Sequence, residues 1–277
     1  MHISAVIITY NEEKNILAAL KSVSWADEVI VVDSNSTDRT TRISSENGAK
    51  VIVHDWPGFS DQKQFGVDVA SYDWILSLDA DESVTPELKK EIEAVKASGG
   101  SADGYRIPRL SFYMGREIRH SGWYPDRQLR LFDRRKGRWN GRTIHESVEM
   151  TPDAKVADLE SDIRHFSVES AAHHHEMIGK RYAPLGAQQM FERGVTTSRF
   201  RVATSGPVAF LRSYVFKLGF LDGFPGFCIA RFAAYHAYLK HLLLLEMQEP
   251  RAEELTEVVT TKGAPETSKQ ADLYQAK

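Results

Sequence analysis

Ser4-Ala5-Val6-Ile7-Ile8-Thr9, running directly into Tyr10-Asn11-Glu12-Glu13, is the stretch on which the fold of this chain turns. A short run that is almost wholly apolar suits a strand covered on both faces. The same form returns twice. Glu28–Val32 (EVIVV) runs into Asp33-Ser34-Asn35-Ser36-Thr37-Asp38, and Trp74–Leu78 (WILSL) runs into Asp79-Ala80-Asp81-Glu82. Between these lie helical stretches: Asn11–Val23, with Ile16, Leu17, Leu20 and Val23 on one stripe, a weaker one over Asp38–Asn47, and Ser60–Ser71. Lys50–His54 reads as a further strand. Thr85–Ala97 opens Thr-Pro-Glu, with proline at the first helical position, and Gly99-Gly100-Ser101 ends it. Strands alternating with helices predict an α/β fold with a mainly parallel sheet. Ligands of such sheets bind beyond the carboxyl ends of the strands, so the three polar clusters are expected to converge on one crevice.

The character changes after Asp103. Residues 103–168 hold short β-like runs (YRIPRL, RQLRLF, SVEM), and Tyr105–Arg142 carries 11 Lys/Arg against three acids with aromatic residues between them. This block reads as a solvated face, a sugar-stacking surface with phosphate contacts, or a single-strand nucleic-acid groove. Trp123 and Tyr124 beside Asp126 and Arg127 favour the sugar surface and mark Trp123, Tyr124 and Arg127 as acceptor contacts. Residues 169–248 turn helical, through His173–Arg193 and Pro207–Glu246. His173-His174-His175 are neighbours on a helix, do not share a face, and are expected to be solvated. Arg199 to Lys240 carries six Lys/Arg against one acid among many large apolar residues, which reads as an interfacial membrane element or as helices packed on the core. Residues 249–277 are polar and read as a disordered tail.

Composition narrows the classes. At 277 residues the chain can bury a core unaided, and 42% hydrophobic with 26% charged residues argues against a disordered or fibrous chain. The net charge of −3 makes a general nucleic-acid binder unexpected. Cys228 is the sole cysteine, which rules out an internal disulfide framework and points to a reducing compartment. The N-terminus reads as a first strand rather than a signal peptide. Arg212, Lys217, Asp222, Pro225, Arg231 and Lys240 break the longest apolar region, so no membrane-crossing helix is expected.

Neither GxGxxG nor a P-loop is present, so a bound diphosphate would need a cation held by carboxylates. Asp79 and Asp81, two apart past a strand, are candidates for that task. Asp33 is either a helix cap or an acceptor for a base or ribose, since a carboxylate takes two donors from one planar partner.

In this order and spacing, ITYNEEKNI, VVDSNSTDRT and LSLDADE resemble the family 2 glycosyltransferases of the GT-A fold. GYRIPR, GWYPDRQLRLF, GRTIHESV and GFLDGFPGF resemble the bacterial subgroup that includes the lipopolysaccharide core β-1,4-glucosyltransferases. The resemblance implies an inverting transfer of a hexose, glucose first, from a UDP-sugar to a lipopolysaccharide core or other cell-envelope glycolipid, at the cytoplasmic membrane face. It assigns Thr9, Tyr10, Asn11, Glu12 and Asp33 to the uracil and ribose, and Lys63 to the nucleotide. Asp79, with Ala80, falls beside the ribose and sugar. Asp81 becomes a ligand of Mg²⁺ or Mn²⁺, with His165 as a second. The family's base lies on a loop after the D-x-D; Glu146 is the first choice and Asp126 the second. His145 beside it reads as a structural, hydrogen-bonded histidine. The rivals are a sugar-nucleotide pyrophosphorylase, which would carry a glycine-rich basic loop after the first strand, and a non-catalytic module binding nucleic acid or anionic membrane.

Overall fold

The structure, a computed structural model, describes residues 1–142, 146–168 and 170–249. His145 and residues 250–277 of the expected tail lie outside the described residues. The chain forms two compact units, one of residues 1–175 with 210–233, the other of residues 176–209 with 234 onward.

The first unit is built on β1 (Ile3–Thr9), every residue of which is buried. Its alternating side chains serve opposite faces of the sheet, as the two-residue period of a strand requires. Ile3, Ala5 and Ile7 enter one core with Ile16, Leu20, Leu88 and Ile92, whereas Val6 and Ile8 enter another with Val67, Phe132 and Trp139. β2 (Glu28–Asp33) and β4 (Trp74–Asp79) pair parallel with β1 on either side, and β3 (Lys50–Val53) pairs parallel with β2. The register sets Thr9 opposite Asp33 and Ile8 opposite Asp79, so the three polar clusters end on one edge. The helices α1 (Ile16–Ser22), α2 (Thr40–Glu46), α3 (Phe59–Asp68) and α4 (Pro86–Ser98) follow the strands. α3 lies so close to β1 that a Cβ on Gly66 would overlap Val6 Cγ1.

Beyond β4 the sheet turns mixed. β5 (Glu82–Val84), β6 (Gly104–Tyr113), β8 (Asp126–Asp133) and β12 (Ile163–His165) complete the order β3-β2-β1-β4-β8-β6-β12-β5. β8 runs antiparallel to both β4 and β6, while β12 is parallel to β6 and antiparallel to β5. β7 (Arg116–Glu117) and β11 (Val156–Asp158) join β6, and β9 (Gly137–Trp139) pairs with β10 (Val148–Met150). The basic block is largely neutralised within the fold. Arg106 pairs with Asp158, Arg134 and Arg135 with Asp73, and Lys136 with Asp103 and Asp153.

The helical part differs from expectation in two places. α5 (Ala171–Glu176) buries His174 against Phe232 (stacked, 4.1 Å), Tyr113 and Trp123, so the His173–His175 run is not a wholly solvated surface. A helix turns through 100° per residue, and the middle histidine faces inward. Burial pushes its imidazole down to a pKa of about 4. The expected helix over Pro207–Glu246 is interrupted. α7 (Arg199–Leu211) widens into π turns over Arg212–Phe216, breaks at Leu218, and passes through a 3₁₀ turn (Gly219–Asp222) into α8 (Gly223–Gln248). The second unit holds α6 (Ala183–Glu192), most of α7 and the later part of α8; within it Thr197 Oγ1 lies 3.1 Å from His241 Nδ1. Among the described residues no helix is long and apolar enough to cross a membrane.

Candidate active site

The loops after β1 and β2 are tied together by hydrogen bonds. Asn11 N–H donates to Ser36 Oγ, Thr37 N–H to Asn11 Oδ1, and Glu12 N–H to Thr40 Oγ1, each at 2.8 Å. Asn11 and Asn35 both adopt left-handed backbone (φ 53° and 62°), which asparagine tolerates better than most residues. Asp33 divides its oxygens. Oδ2 accepts from Ser36 N–H at 2.8 Å, while Oδ1 is buried and has no partner among the described residues. Asp33 does not cap α2, which begins at Thr40 behind Arg39 without a side-chain cap; it closes the turn after β2 instead and leaves one oxygen open. Thr9 Oγ1, beside it in register, is also buried without a partner among the described residues. Tyr10 projects from the same loop, exposed. Unsatisfied buried polar atoms are costly, and here they sit together at the edge where a ligand would meet them.

Asp79 lies between two buried cations. Lys63, only 2% exposed, reaches its Oδ1 at 3.0 Å, and Arg130 Nη2 reaches its Oδ2 at 3.2 Å. Burial alone would favour the neutral acid, but the charges of Lys63 and Arg130 dominate and hold the carboxyl well below the usual range. The chain of charges continues. Arg130 Nη2 meets buried Glu82 at 2.8 Å, Arg109 meets Glu82 at 3.3 Å, and Arg109 Nε donates to Asp126 Oδ2 at 2.9 Å. Glu146 closes the other end, 3.5 Å from Lys63 Nζ, which also lies 4.8 Å from the Trp139 ring centroid. Sequence reading missed Arg109, Arg130 and the inward role of Glu82. Arg130 is the extra residue of a β-bulge, since Tyr105 faces Leu131 and Arg106 faces Leu129. Bulges re-aim side chains beside functional sites, and Arg130 Nε and Nη1 remain buried without partners among the described residues. The available signal was an arginine inside an otherwise apolar strand end, Leu-Arg-Leu-Phe.

Asp81 and His165 come together from distant parts of the chain. Asp81 Oδ2 lies 3.5 Å from His165 Nε2, and the Asp81 carbonyl accepts from Phe166 N–H at 2.9 Å. His165 Nδ1 lies 3.4 Å from Ser111 Oγ. A carboxylate and an imidazole whose far nitrogen faces a hydroxyl form a donor set that fits Mg²⁺ or Mn²⁺, with the remaining positions left to phosphate and water. Among the described residues no group of three or more His, Cys, Asp or Glu gathers around one point, so such an ion would rest on this pair.

The other candidates are engaged elsewhere. Asp126 takes Arg109 and the amide of Gln128 (2.6 Å); burial opposes its ionisation, but the Arg109 charge and hydrogen bonds keep it below the ordinary range. Arg127, its neighbour on β8, points to the opposite face of the sheet, as successive strand residues do, and binds the Leu159 carbonyl and Glu160. Trp123 packs edge-on to Tyr113 and His174, and the Tyr124 ring carries the Arg119 guanidinium at 5.4 Å. The structure thus does not bring Trp123, Tyr124 and Arg127 onto one open face.

The chain is similar in sequence to known glycosyltransferases. A glycosyltransferase of Rickettsia typhi is 34% identical over 88% of this chain and 87% of its own. The lipopolysaccharide core biosynthesis glycosyltransferase LpsC of Rhizobium meliloti is 28% identical over 86% of this chain and 89% of its own. Among solved structures, glucosyl-3-phosphoglycerate synthase from Mycobacterium tuberculosis in complex with Mn²⁺, uridine diphosphate and glucosyl-3-phosphoglycerate is 26% identical. That likeness covers 41% of this chain and 44% of that one at a TM-score of 0.34. The carboxylate-edged sheet is the GT-A arrangement expected from the sequence, and the profile of glycosyl transferase family 2 matches residues 4–150. The chain belongs to glycosyl transferase family 2.

Proposed function

We propose that this glycosyltransferase is a metal-dependent inverting hexosyltransferase that moves a hexose, glucose first, from a UDP-sugar to a glycolipid acceptor of the lipopolysaccharide core class. One observation carries the reading: unpartnered buried oxygens of Thr9 and Asp33, the cation-held Asp79 and the Asp81–His165 pair belong to the same carboxyl edge of the sheet. The Rhizobium relative's role in lipopolysaccharide core biosynthesis supports the acceptor class.

In this reading the loop from Thr9 to Glu12 and Asp33 hold the nucleoside, with Asp33 Oδ1 accepting from it and the exposed Tyr10 ring offering a stacking face. Asp79 with Ala80 lines the ribose and sugar, and Lys63 and Arg130 hold Asp79 ionised and fixed. A divalent cation held by Asp81 and His165 would supply neutralisation of the charge that grows on the departing diphosphate. The acceptor hydroxyl must lose a proton as it attacks the anomeric carbon opposite the leaving group. Glu146 is the better base, because Asp126 is tied by Arg109 and Gln128, and a carboxylate held at low pKa is a weak proton acceptor. The partly exposed Glu146 lies 3.5 Å from the Lys63 ammonium.

Calorimetric titration of UDP with and without Mn²⁺, followed by transfer assays with UDP-sugars, tests the reading. Asp81→Asn is expected to remove the metal-dependent part of UDP binding. Glu146→Gln is expected to lower kcat by about 10²–10⁴-fold while UDP still binds. Unchanged transfer in Asp81→Asn would refute the metal assignment, and lost UDP binding in Glu146→Gln would move Glu146 from base to nucleotide contact.

A further inference from the structure

Residues 211–227 of the first unit have an amphipathic pattern turned inside out. Ser213, Gly219, Asp222 and Gly226 are buried, while Phe216 is 80% and Phe224 64% exposed, and Leu211, Val215, Phe220 and Leu221 are exposed with them. A helical segment of a water-soluble protein normally hides its apolar stripe and shows its polar one. The segment is not loosely attached. Asp222 accepts from the backbone N–H groups of Arg119 (3.2 Å) and His120 (2.9 Å), and its Oδ1 lies 2.9 Å from His120 Nδ1. Ser121 N–H donates to the Lys217 carbonyl at 2.9 Å, and Ser213 Oγ donates to the Ser121 carbonyl at 3.3 Å. Gly219 and Gly226 let the two arms touch, for a Cβ on Gly226 would overlap the Gly219 carbonyl oxygen. The turn between the arms holds Leu218 at φ 55°, a conformation where glycine or asparagine is the usual choice, with the leucine side chain exposed.

Polar groups and glycines thus anchor a rigid hairpin whose large side chains face outward. The aromatic rings are contiguous: Phe210 stacks on Tyr214 at 5.3 Å, and Phe227 meets both Tyr214 (5.9 Å) and Phe224 (6.2 Å). Contiguous exposed apolar surface marks an interaction site. Its rim indicates the partner. Arg212 and Lys217 lie within the segment, and the Arg116 guanidinium lies against Gly223. None of the three has a carboxylate partner among the described residues, and the segment's one acid, Asp222, is buried. The chain as a whole is negative, so this local excess of cations is set against the general trend.

We propose that the 211–227 hairpin is a membrane-seating wedge, which sinks its aromatic and aliphatic side chains into the headgroup and upper acyl region of an anionic bilayer while Arg116, Arg212 and Lys217 meet lipid phosphates. It lies on the bilayer and does not cross it. The inference stands independently of which sugar or nucleotide the crevice takes.

Flotation of the full chain with vesicles tests it, using phosphatidylglycerol mixed with phosphatidylethanolamine against phosphatidylcholine alone. The wild-type chain is expected to float with the anionic vesicles. The Phe216→Glu/Phe224→Glu variant, whose changes fall on exposed positions, is expected to stay behind with an unaltered melting temperature and unaltered UDP titration. Arg212→Gln/Lys217→Gln should weaken binding to the anionic vesicles by about fivefold per charge and leave phosphatidylcholine binding unchanged. A wild-type chain that ignores anionic vesicles overturns the proposal, as does a glutamate variant that floats like wild type. So does a wild-type dimer that Phe216→Glu splits without any lipid binding, because a second copy would then be the occupant.

Discussion

Asp33 shows how one side chain can be divided: one oxygen closes the turn after β2 through Ser36, and the other stays buried and, among the described residues, unpartnered. The sequence made Asp33 a candidate because a carboxylate ends an apolar strand, yet it did not say how the oxygens would be shared. Lys63 and Arg130 make the opposite case. Their charges are buried around Asp79 and Glu82, a cost that ion pairing offsets, and only the fold brings a helix, a turn and a bulged strand together there. His174 carries the prediction at this scale. Its folded pKa of about 4 lies below the ordinary histidine value, so the neutral ring is favoured in the folded chain. Its contribution is whole above the unfolded pKa and is lost as pH falls toward the folded one. Between pH 7 and pH 4.5 this amounts to about 2 kcal/mol of stability. In urea titrations at the two pH values, His174→Phe is expected to shrink the acid loss by about that amount; an unchanged difference would mean that the ring is already solvated.

The elements were legible where local pattern and tertiary demand agree. β1, β2 and β4 appear as expected because an apolar run has no alternative but burial. α4 starts at Pro86 behind Thr85, whose Oγ1 accepts from Leu88 N–H at 3.2 Å, and ends at Gly99 in left-handed backbone. α1 is shorter than its periodicity predicts. Asn11 and Glu12 spend their backbone N–H groups on Ser36 and Thr40, so regular helix starts only at Ile16. The break at Leu218 has no local signal for a related reason, since leucine is not a residue that announces a left-handed turn. Packing of α3 on β1 gives the prediction for this scale. Gly66→Ala, with no room beside Val6 Cγ1, is expected to destabilise the chain by about 1–3 kcal/mol in urea unfolding. A neutral result would show that α3 shifts freely on the sheet.

Across the whole molecule, every residue assigned to the crevice, from Thr9 to His165, falls in the first compact unit. UDP with Mn²⁺ is therefore expected to slow amide hydrogen exchange at residues 9–12, 33–38 and 79–82, with the effect removed by chelation; exchange unchanged in all three loops would refute the shared crevice. The amino-acid sequence by itself determined the α/β order, the parallel edge and the convergence of Thr9–Glu12, Asp33 and Asp79–Asp81, because hydrophobic period and strand polarity are local properties that leave one arrangement of strand ends. It also placed the basic and aromatic residues without showing their use. Only the tertiary structure decided that most cations of the 105–142 block are spent on internal carboxylates, that Arg127 turns away from Asp126, that His165 meets Asp81, and that the 211–227 hairpin shows its apolar side to the outside. Each of these depends on partners far apart in sequence, and the energy of a charge or an apolar surface is set by what the fold brings against it.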